Sequence, residues 1–387
     1  MKEFLYICIK NPFTQRDCDR MGIEALERQF EVRILDCTAW LMPKAHETRG
    51  RSTIMRHNLR RIGSFRELRD ELRNVQGGFA VDYVGPFSAK AILLFHHLKA
   101  RGCKLIVIDS GAYPSPEVTL RKRSVGKKIL DAIWQGGVWQ HLNARIIRVL
   151  LQFLPDQTPD YALVAGTSWT TDPRYSRAAQ IIPAHSFDYE RYLQIRDTPA
   201  LRDGAYAVYV DEDIAEHEDN AEMGMARPVS AARFYRALEA FFADFESVAG
   251  MPVLVAGYPS ERTAHTTRFN GRQVLFSKTA ELIRNAKVVF AHASTAISYA
   301  VLWRRPLVFL TTQEMRRSWY GPWVETPSKL LNVPLVDIDL DKPRSGSCAD
   351  WQRVDERAYK QYETTYLRSV DSPDDSLWSI FLAVKKA

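Results

Sequence analysis

Residues 288–310 read VVFAHASTAISYAVLWRRPLVFL. The first four form a continuous apolar run, and residues 307–310 form another. Between them, residues 296–303 follow helical spacing and end at Arg304-Arg305-Pro306. Two strands joined through a helix by such short connections run parallel, because a parallel pair needs a crossover. This segment sets the fold class as α/β.

The alternation extends outward from there. Strands are expected at residues 205–210, 253–256 and 273–276, with helices at 230–248 and 279–285. The first half predicts strands at 4–9, 30–35, 79–84, 104–109, 161–165 and 180–183. Helices are expected there at 17–29, 64–75 and 88–100, the second opened by a capping-box spacing of Ser64 and Glu67. Residues 117–155 read as helical, and residues 351–387 as two helices split at Ser372-Pro373. A polar stretch around Pro199 marks a seam. The expected organisation is two facing domains, 1–198 and 199–345, with residues 346–387 packing back on the first.

A chain of 387 residues suits two such domains. An aromatic content of 11% is too high for a disordered chain. Five cysteines without a C-x-x-C spacing, Cys8 among them inside an apolar run, argue against a disulfide framework or zinc ribbon. A reducing, cytoplasmic setting is expected. The N-terminal apolar run is cut by Lys10 and Pro12, so it reads as a first strand and not as a signal peptide. No run of about 18 apolar residues predicts a membrane-spanning helix.

The formal charge of +7 is concentrated. Arg121, Lys122, Arg123, Lys127, Lys128, Arg145 and Arg148 share residues 121–150 with one acid, Asp131. Trp134, Trp139 and aliphatic residues lie between them, a pattern that suits an anionic membrane surface or an anionic acceptor. The competing reading places the aromatic residues in a core beneath a wet basic face. No nucleic-acid-binding motif accompanies the charge, so no nucleic-acid partner is expected.

Three strand ends carry candidate chemistry. After residues 288–291 come His292, Ala293, Ser294 and Thr295, where two hydroxyls at a helix start suit a phosphate. A plain helix N-cap is the rival reading. After residues 205–210 come Asp211, Glu212 and Asp213, carboxylates at the end of a strand where α/β folds gather ligands. They suit a general base, a nucleophile toward a sugar carbon, or a clamp for a divalent metal; a solvated turn is the rival. After residues 253–256 come Gly257, Tyr258, Pro259 and Ser260, then Arg262 and His265, basic groups able to hold an anion. In the first half, Asp109, Ser110 and Thr167 also stand at strand ends, a second place where a ligand could gather.

The order of these motifs resembles the C-terminal half of a GT-B glycosyltransferase. More narrowly, residues 10–36, 209–219 and 269–314 resemble bacterial surface-carbohydrate (O-antigen or capsule) biosynthesis proteins. More distantly, the chain is similar to Kdo- and sialic-acid-transferring enzymes that use CMP-sugars. The resemblance implies two Rossmann-like domains with C-terminal helices, the nucleotide-sugar donor in the second. It implies Asp211 facing the anomeric carbon and Ser294 and Thr295 on the donor phosphate. Relatives carry His-Pro where this chain has Tyr258-Pro259. Asp211 as nucleophile gives retention, and as base gives inversion. The implied acceptor is a lipid-linked polysaccharide at the inner face of the cytoplasmic membrane, with no cofactor and no metal. Other donors, an NDP-sugar or a CDP-polyol, or a silent scaffold, are the alternatives.

Overall fold

The computed structural model describes residues 2–49, 52, 54–85, 88–109, 111, 113, 114, 116, 158–217, 220, 225–258 and 268–386. The helical stretch expected at 117–155, with its seven basic residues from Arg121 to Arg148, lies outside them, as do Ser110, Pro259, Ser260, Arg262 and His265. The described chain forms two compact units.

The first unit contains β1 (Phe4–Ile9), β2 (Glu31–Asp36), β3 (Leu59–Arg61), β4 (Phe79–Asp82), β5 (Lys104–Ile108), β6 (Tyr161–Ala165) and β7 (Gln180–Ala184). They form one sheet in the order β3-β2-β1-β4-β5-β6-β7, with every pair parallel. Strand β1 shows why both faces must be covered. Leu5, Ile7 and Ile9 enter one apolar cluster, and Tyr6 and Cys8 enter another on the opposite face. Each such fully buried aliphatic side chain stabilises the fold by about 1.5–3 kcal/mol. The helix Leu377–Lys386 covers the first face through Leu377, Trp378, Ile380 and Phe381.

The second unit repeats the arrangement with β8 (Ala207–Val210), β9 (Val253–Gly257), β10 (Val274–Phe276), β11 (Val288–Ala291), β12 (Leu307–Thr311) and β13 (Leu335–Asp337). Its sheet runs β10-β9-β8-β11-β12-β13, again all parallel. The helix Ala231–Ala249 buries Phe234, Leu238, Phe241, Phe242 and Phe245, a stripe at i, i+4, i+7, i+8 and i+11. Phe245 meets Phe290 of β11 edge-on at 5.0 Å. In each sheet the strand order reverses once, between β1 and β4 and between β8 and β11. Such reversals open a crevice at the carboxyl ends of the two central strands.

Several boundaries differ from the sequence expectation. The helix expected at 17–29 is two helices, Gln15–Arg20 and Ile23–Gln29, because Gly22 takes a left-handed φ of 60°. Strands β3 and β13, edge strands of three residues each, were not expected. The division between units falls at Phe187 and Asp188, since Phe187 packs in the first core and Tyr189 in the second. The C-terminal segment is split between them. Cys348, Trp351, Tyr359, Tyr362 and Leu367 belong to the second core, and only residues from Ser369 onward return to the first unit. No helix among the described residues is long and apolar enough to cross a membrane.

Candidate functional site

The crevice of the second unit lies where β8 and β11 end, and the acidic triplet starts there. The Asp211 N–H still bonds to the Ala256 carbonyl at 3.0 Å, carrying the sheet one residue past β8. The Asp211 side chain then turns back on the loop. Its Oδ1 accepts the Asp213 N–H at 3.0 Å, and its Oδ2 lies 3.5 Å from the Tyr258 N–H. This turn sets Asp213 at a φ of 49°, a strained value for a residue with a Cβ.

Asp213 is buried, and its carboxylate receives the Arg268 guanidinium at 2.6 Å. Arg268 also pairs with Glu216, donates to the Tyr235 hydroxyl at 3.1 Å and lies 5.2 Å from the Tyr235 ring. The pairing gives Asp213 a structural partner. Among the described residues no group of three or more His, Cys, Asp or Glu could hold a metal ion.

Glu212 points the other way, toward the end of β11. Its Oε2 accepts the Tyr320 hydroxyl at 2.6 Å, and that phenol oxygen accepts the Ala293 N–H at 3.2 Å. Burial pushes the Glu212 carboxyl up from its ordinary 4.5 to about 7, against the lowering effect of the Tyr320 hydrogen bond. Burial also raises the Tyr320 phenol well above its usual range, with Glu212 adding to the effect, so Tyr320 stays protonated and donates. The Oε1 of Glu212 is buried and has no hydrogen-bond partner among the described residues. A polar atom left in that state costs about 1–3 kcal/mol, which a folded protein retains only where something else compensates.

His292 has a different role from the one its position suggests. It is fully buried between β8, β11 and β12. Its Nδ1 lies 2.7 Å from the Leu310 carbonyl and its Nε2 3.1 Å from the Tyr209 hydroxyl. Burial lowers its pKa to about 4, so the ring is neutral. Nδ1–H donates to Leu310, and the Tyr209 hydroxyl donates to Nε2. The ring braces three strands. Ser294 is half-buried and its Oγ accepts the Ala296 N–H at 3.2 Å, while Thr295 is exposed just before the helix Ile297–Leu302. Tyr258 is half-buried, with its ring 5.0 Å from that of His217.

The structure therefore gathers Asp211, Glu212, Asp213, Tyr258, His292, Ser294 and Thr295 around the ends of β8, β9 and β11. Sequence reading missed Tyr320, which lies 108 residues from the Glu212 it contacts. It also missed Tyr113, whose ring packs 6.3 Å from Trp323 and whose phenol feels the Glu212 charge. The Trp-Tyr-Gly-Pro run at 319–322, beyond the last strong strand signal, was the available hint.

In the first unit Asp109 is buried at the end of β5, and Thr167 is exposed after β6. At the crevice between β1 and β4, Asp82 Oδ1 accepts the N–H groups of Val84 and Gly85, and its Oδ2 pairs with Arg174 at 2.9 Å. Neither Asp82 nor Arg174 was anticipated.

No protein-family model matches the chain, and no curated protein sequence matches it. Solved structures do. The glycotransferase of kitacinnamycin superposes with a TM-score of 0.52 at 10% identity, over 100% of this chain and 99% of that one. A Listeria monocytogenes protein assigned as a UDP-N-acetylglucosamine 2-epimerase gives 0.52 at 10% identity, over 100% of this chain and 96% of that one. At this identity the likeness is one of fold, the GT-B arrangement of two Rossmann-like units.

Proposed function

We propose that the chain is a GT-B glycosyltransferase that moves an acidic sugar, Kdo from CMP-Kdo, onto a lipid-linked surface polysaccharide. One observation carries the transferase reading. At the crevice where this fold places ligands, the carboxylates that follow β8 meet the backbone turn after β11, Glu212 reaching Ala293 through the Tyr320 hydroxyl. Carboxylates so placed are suited to act on a reacting sugar carbon or on the hydroxyl that attacks it. The choice of CMP-Kdo rests on the resemblance of residues 10–36, 209–219 and 269–314 to enzymes that use CMP-activated acidic sugars.

Asp211 faces the anomeric carbon in this reading. Ser294, Thr295 and the adjoining N–H groups hold the donor phosphate and stabilise it as it departs. That stabilisation makes a metal unnecessary. Tyr258, with Pro259, Ser260, Arg262 and His265, borders the nucleotide. Asp109, Ser110 and Thr167 border the acceptor. The basic residues from Arg121 to Arg148 meet the anionic inner face of the cytoplasmic membrane or the charged acceptor.

Calorimetry with CMP tests the phosphate site. Replacing Ser294 and Thr295 together by Ala should weaken binding about tenfold or more, since a charge-assisted hydrogen bond contributes about 1.5–3 kcal/mol. Unchanged affinity sinks that assignment. Full transfer activity in Asp211→Asn would remove Asp211 from the mechanism, and loss of activity in EDTA restored by Mg²⁺ would revive the metal clamp.

One observation favours a second reading, a donor built on a nucleoside diphosphate. Tyr258 stands where relatives of the CMP-sugar type carry histidine, and the Listeria neighbour is named for a UDP-sugar. Thermal shifts with CMP, CDP, UDP and GDP separate the two: stabilisation by UDP without CMP selects the second.

A further inference from the structure

Three carboxylates follow β8, and their surroundings give them different capacities. Asp213 is committed to Arg268 at 2.6 Å. Asp211 directs Oδ1 to the Asp213 N–H and Oδ2 toward the Tyr258 N–H, and so shapes the loop. Glu212 alone combines one anchored oxygen with one buried oxygen that meets no donor among the described residues. The anchor is itself fixed, because the Tyr320 oxygen that donates to Oε2 accepts the Ala293 N–H from the end of β11. A carboxyl held by one oxygen, with the other unpartnered among the described residues, is arranged to take up a proton at a defined place.

We propose that Glu212 is the catalytic base of the transfer, its Oε1 receiving the hydroxyl proton of the incoming acceptor, and that Tyr320 is the positioning residue that sets its affinity for that proton. The inference rests on the transferase reading above and deepens it. The acceptor oxygen forms a bond to the anomeric carbon with its own electron pair. The bond from that carbon to the donor phosphate oxygen breaks, and its pair leaves on the phosphate. The acceptor proton passes to Oε1. Where Asp211 first forms a glycosyl ester, the second step breaks the bond to Asp211 instead, and the proton still goes to Oε1. In both cases the proton lost is that of the incoming hydroxyl.

The groups facing Glu212 support a base and not a permanent anion. Tyr320, Tyr113 and Tyr209 are phenols that burial holds protonated, and each feels the Glu212 charge. Asp211 is the neighbouring carboxylate, and it raises the Glu212 pKa. The Tyr320 hydrogen bond lowers it, as do the nearby backbone N–H groups of His292 and Ala293, neither of which reaches hydrogen-bond geometry with Oε1. The balance lies at about 7.

Two measurements on the full chain test the proposal. The first is nucleotide release from CMP-Kdo and UDP-N-acetylglucosamine across pH 5 to 9, with calorimetric nucleotide affinity as the control for folding. The parent should lose activity as the pH falls through about 7. Glu212→Gln should keep nucleotide affinity and lose about 10²–10⁴-fold in rate, without that acid limb. Tyr320→Phe removes a hydrogen bond that favours the carboxylate, so its acid limb should move to higher pH, where a merely structural defect would lower the rate evenly. The second is infrared titration of the carboxyl band that Glu212→Gln removes, expected near 7 in the parent and higher in Tyr320→Phe.

An active parent whose Glu212→Gln variant keeps its rate, or a Glu212 band titrating in the ordinary carboxylate range, overturns the proposal and leaves the transferase reading standing. A parent that binds nucleotide and releases none from either donor overturns the transferase reading, and the role of Glu212 falls with it.

Discussion

At the scale of single residues, the second unit carries two groups whose burial acts on stability with opposite signs. Burial lowers the His292 imidazole to about 4, whereas in the unfolded chain it titrates near its ordinary 6.5. Between those values the unfolded chain holds more protons, so this contribution is complete above pH 6.5 and is lost as the pH falls toward 4. Glu212 is raised from 4.5 to about 7, so the folded state holds the extra proton and stability declines as the pH rises between those values. Denaturant unfolding from pH 4 to 9 should therefore show Glu212→Gln overtaking the parent above pH 7. Parallel curves for the two proteins would contradict the raised carboxyl. Arg268→Met leaves Asp213 buried without its cation and should cost about 3–5 kcal/mol. Equal unfolding midpoints for parent and variant would show that the pair contributes nothing. The acidic triplet and the Ser294-Thr295 turn were legible because apolar runs mark strand ends and ligands gather there. Tyr320 was not, because only the sheet order brings it to Glu212. His292 was legible in place and not in role, since nothing in its own segment announces that Leu310 and Tyr209 will occupy both ring nitrogens.

At the scale of elements, the strands and helices with long apolar runs were readable, and those defined by their neighbours were not. Strands β8, β9, β11 and β12 are covered on both faces and show it in composition. Strands β3 and β13 are edge strands of three residues that exist through pairing with β2 and β12. The two helices around Gly22 depend on a backbone conformation that a helical pattern does not reveal. Gly78 shows how narrowly one such position is specified. Its φ is +99°, and a Cβ there would lie 2.6 Å from the Phe4 carbonyl oxygen, a backbone atom with no freedom to retreat. Gly78→Ala should destabilise the first unit by at least about 1–3 kcal/mol. A calorimetric scan checks this, and an unchanged transition would mean that β1 can shift along β4.

At the scale of the whole molecule, the chain order and the folded units do not coincide. The helix Leu377–Lys386 belongs to the core formed by β1, β4 and β6, where Phe381 packs edge-on against Phe79 at 5.5 Å and Tyr161 at 5.4 Å. Phe381 is fully buried, so Phe381→Ala should cost the first unit about 3–5 kcal/mol. The second unit holds its own core and the proposed nucleotide site, so CMP binding should persist in that variant. If CMP affinity fell in step with the stability of the first unit, the two would unfold as one. The sequence expectation sent all of residues 346–387 to the first unit. It erred because Trp351, Tyr359 and Tyr362 carry no mark of which apolar surface they will meet.

That return also has a consequence for synthesis. A nascent chain makes β1 to β7 early, yet the helix that covers one face of their sheet emerges only after residues 188–368. At roughly 5–20 residues per second, the gap lasts about 10–40 s. Throughout it the apolar side of β1, β4 and β6 is exposed to whatever else the cell offers. The second unit, almost contiguous in the chain, can complete its core while the first is still waiting. Slow translation or a damaged C-terminal helix should thus trap a half-folded chain whose later portion is native and whose earlier portion is a substrate for chaperones.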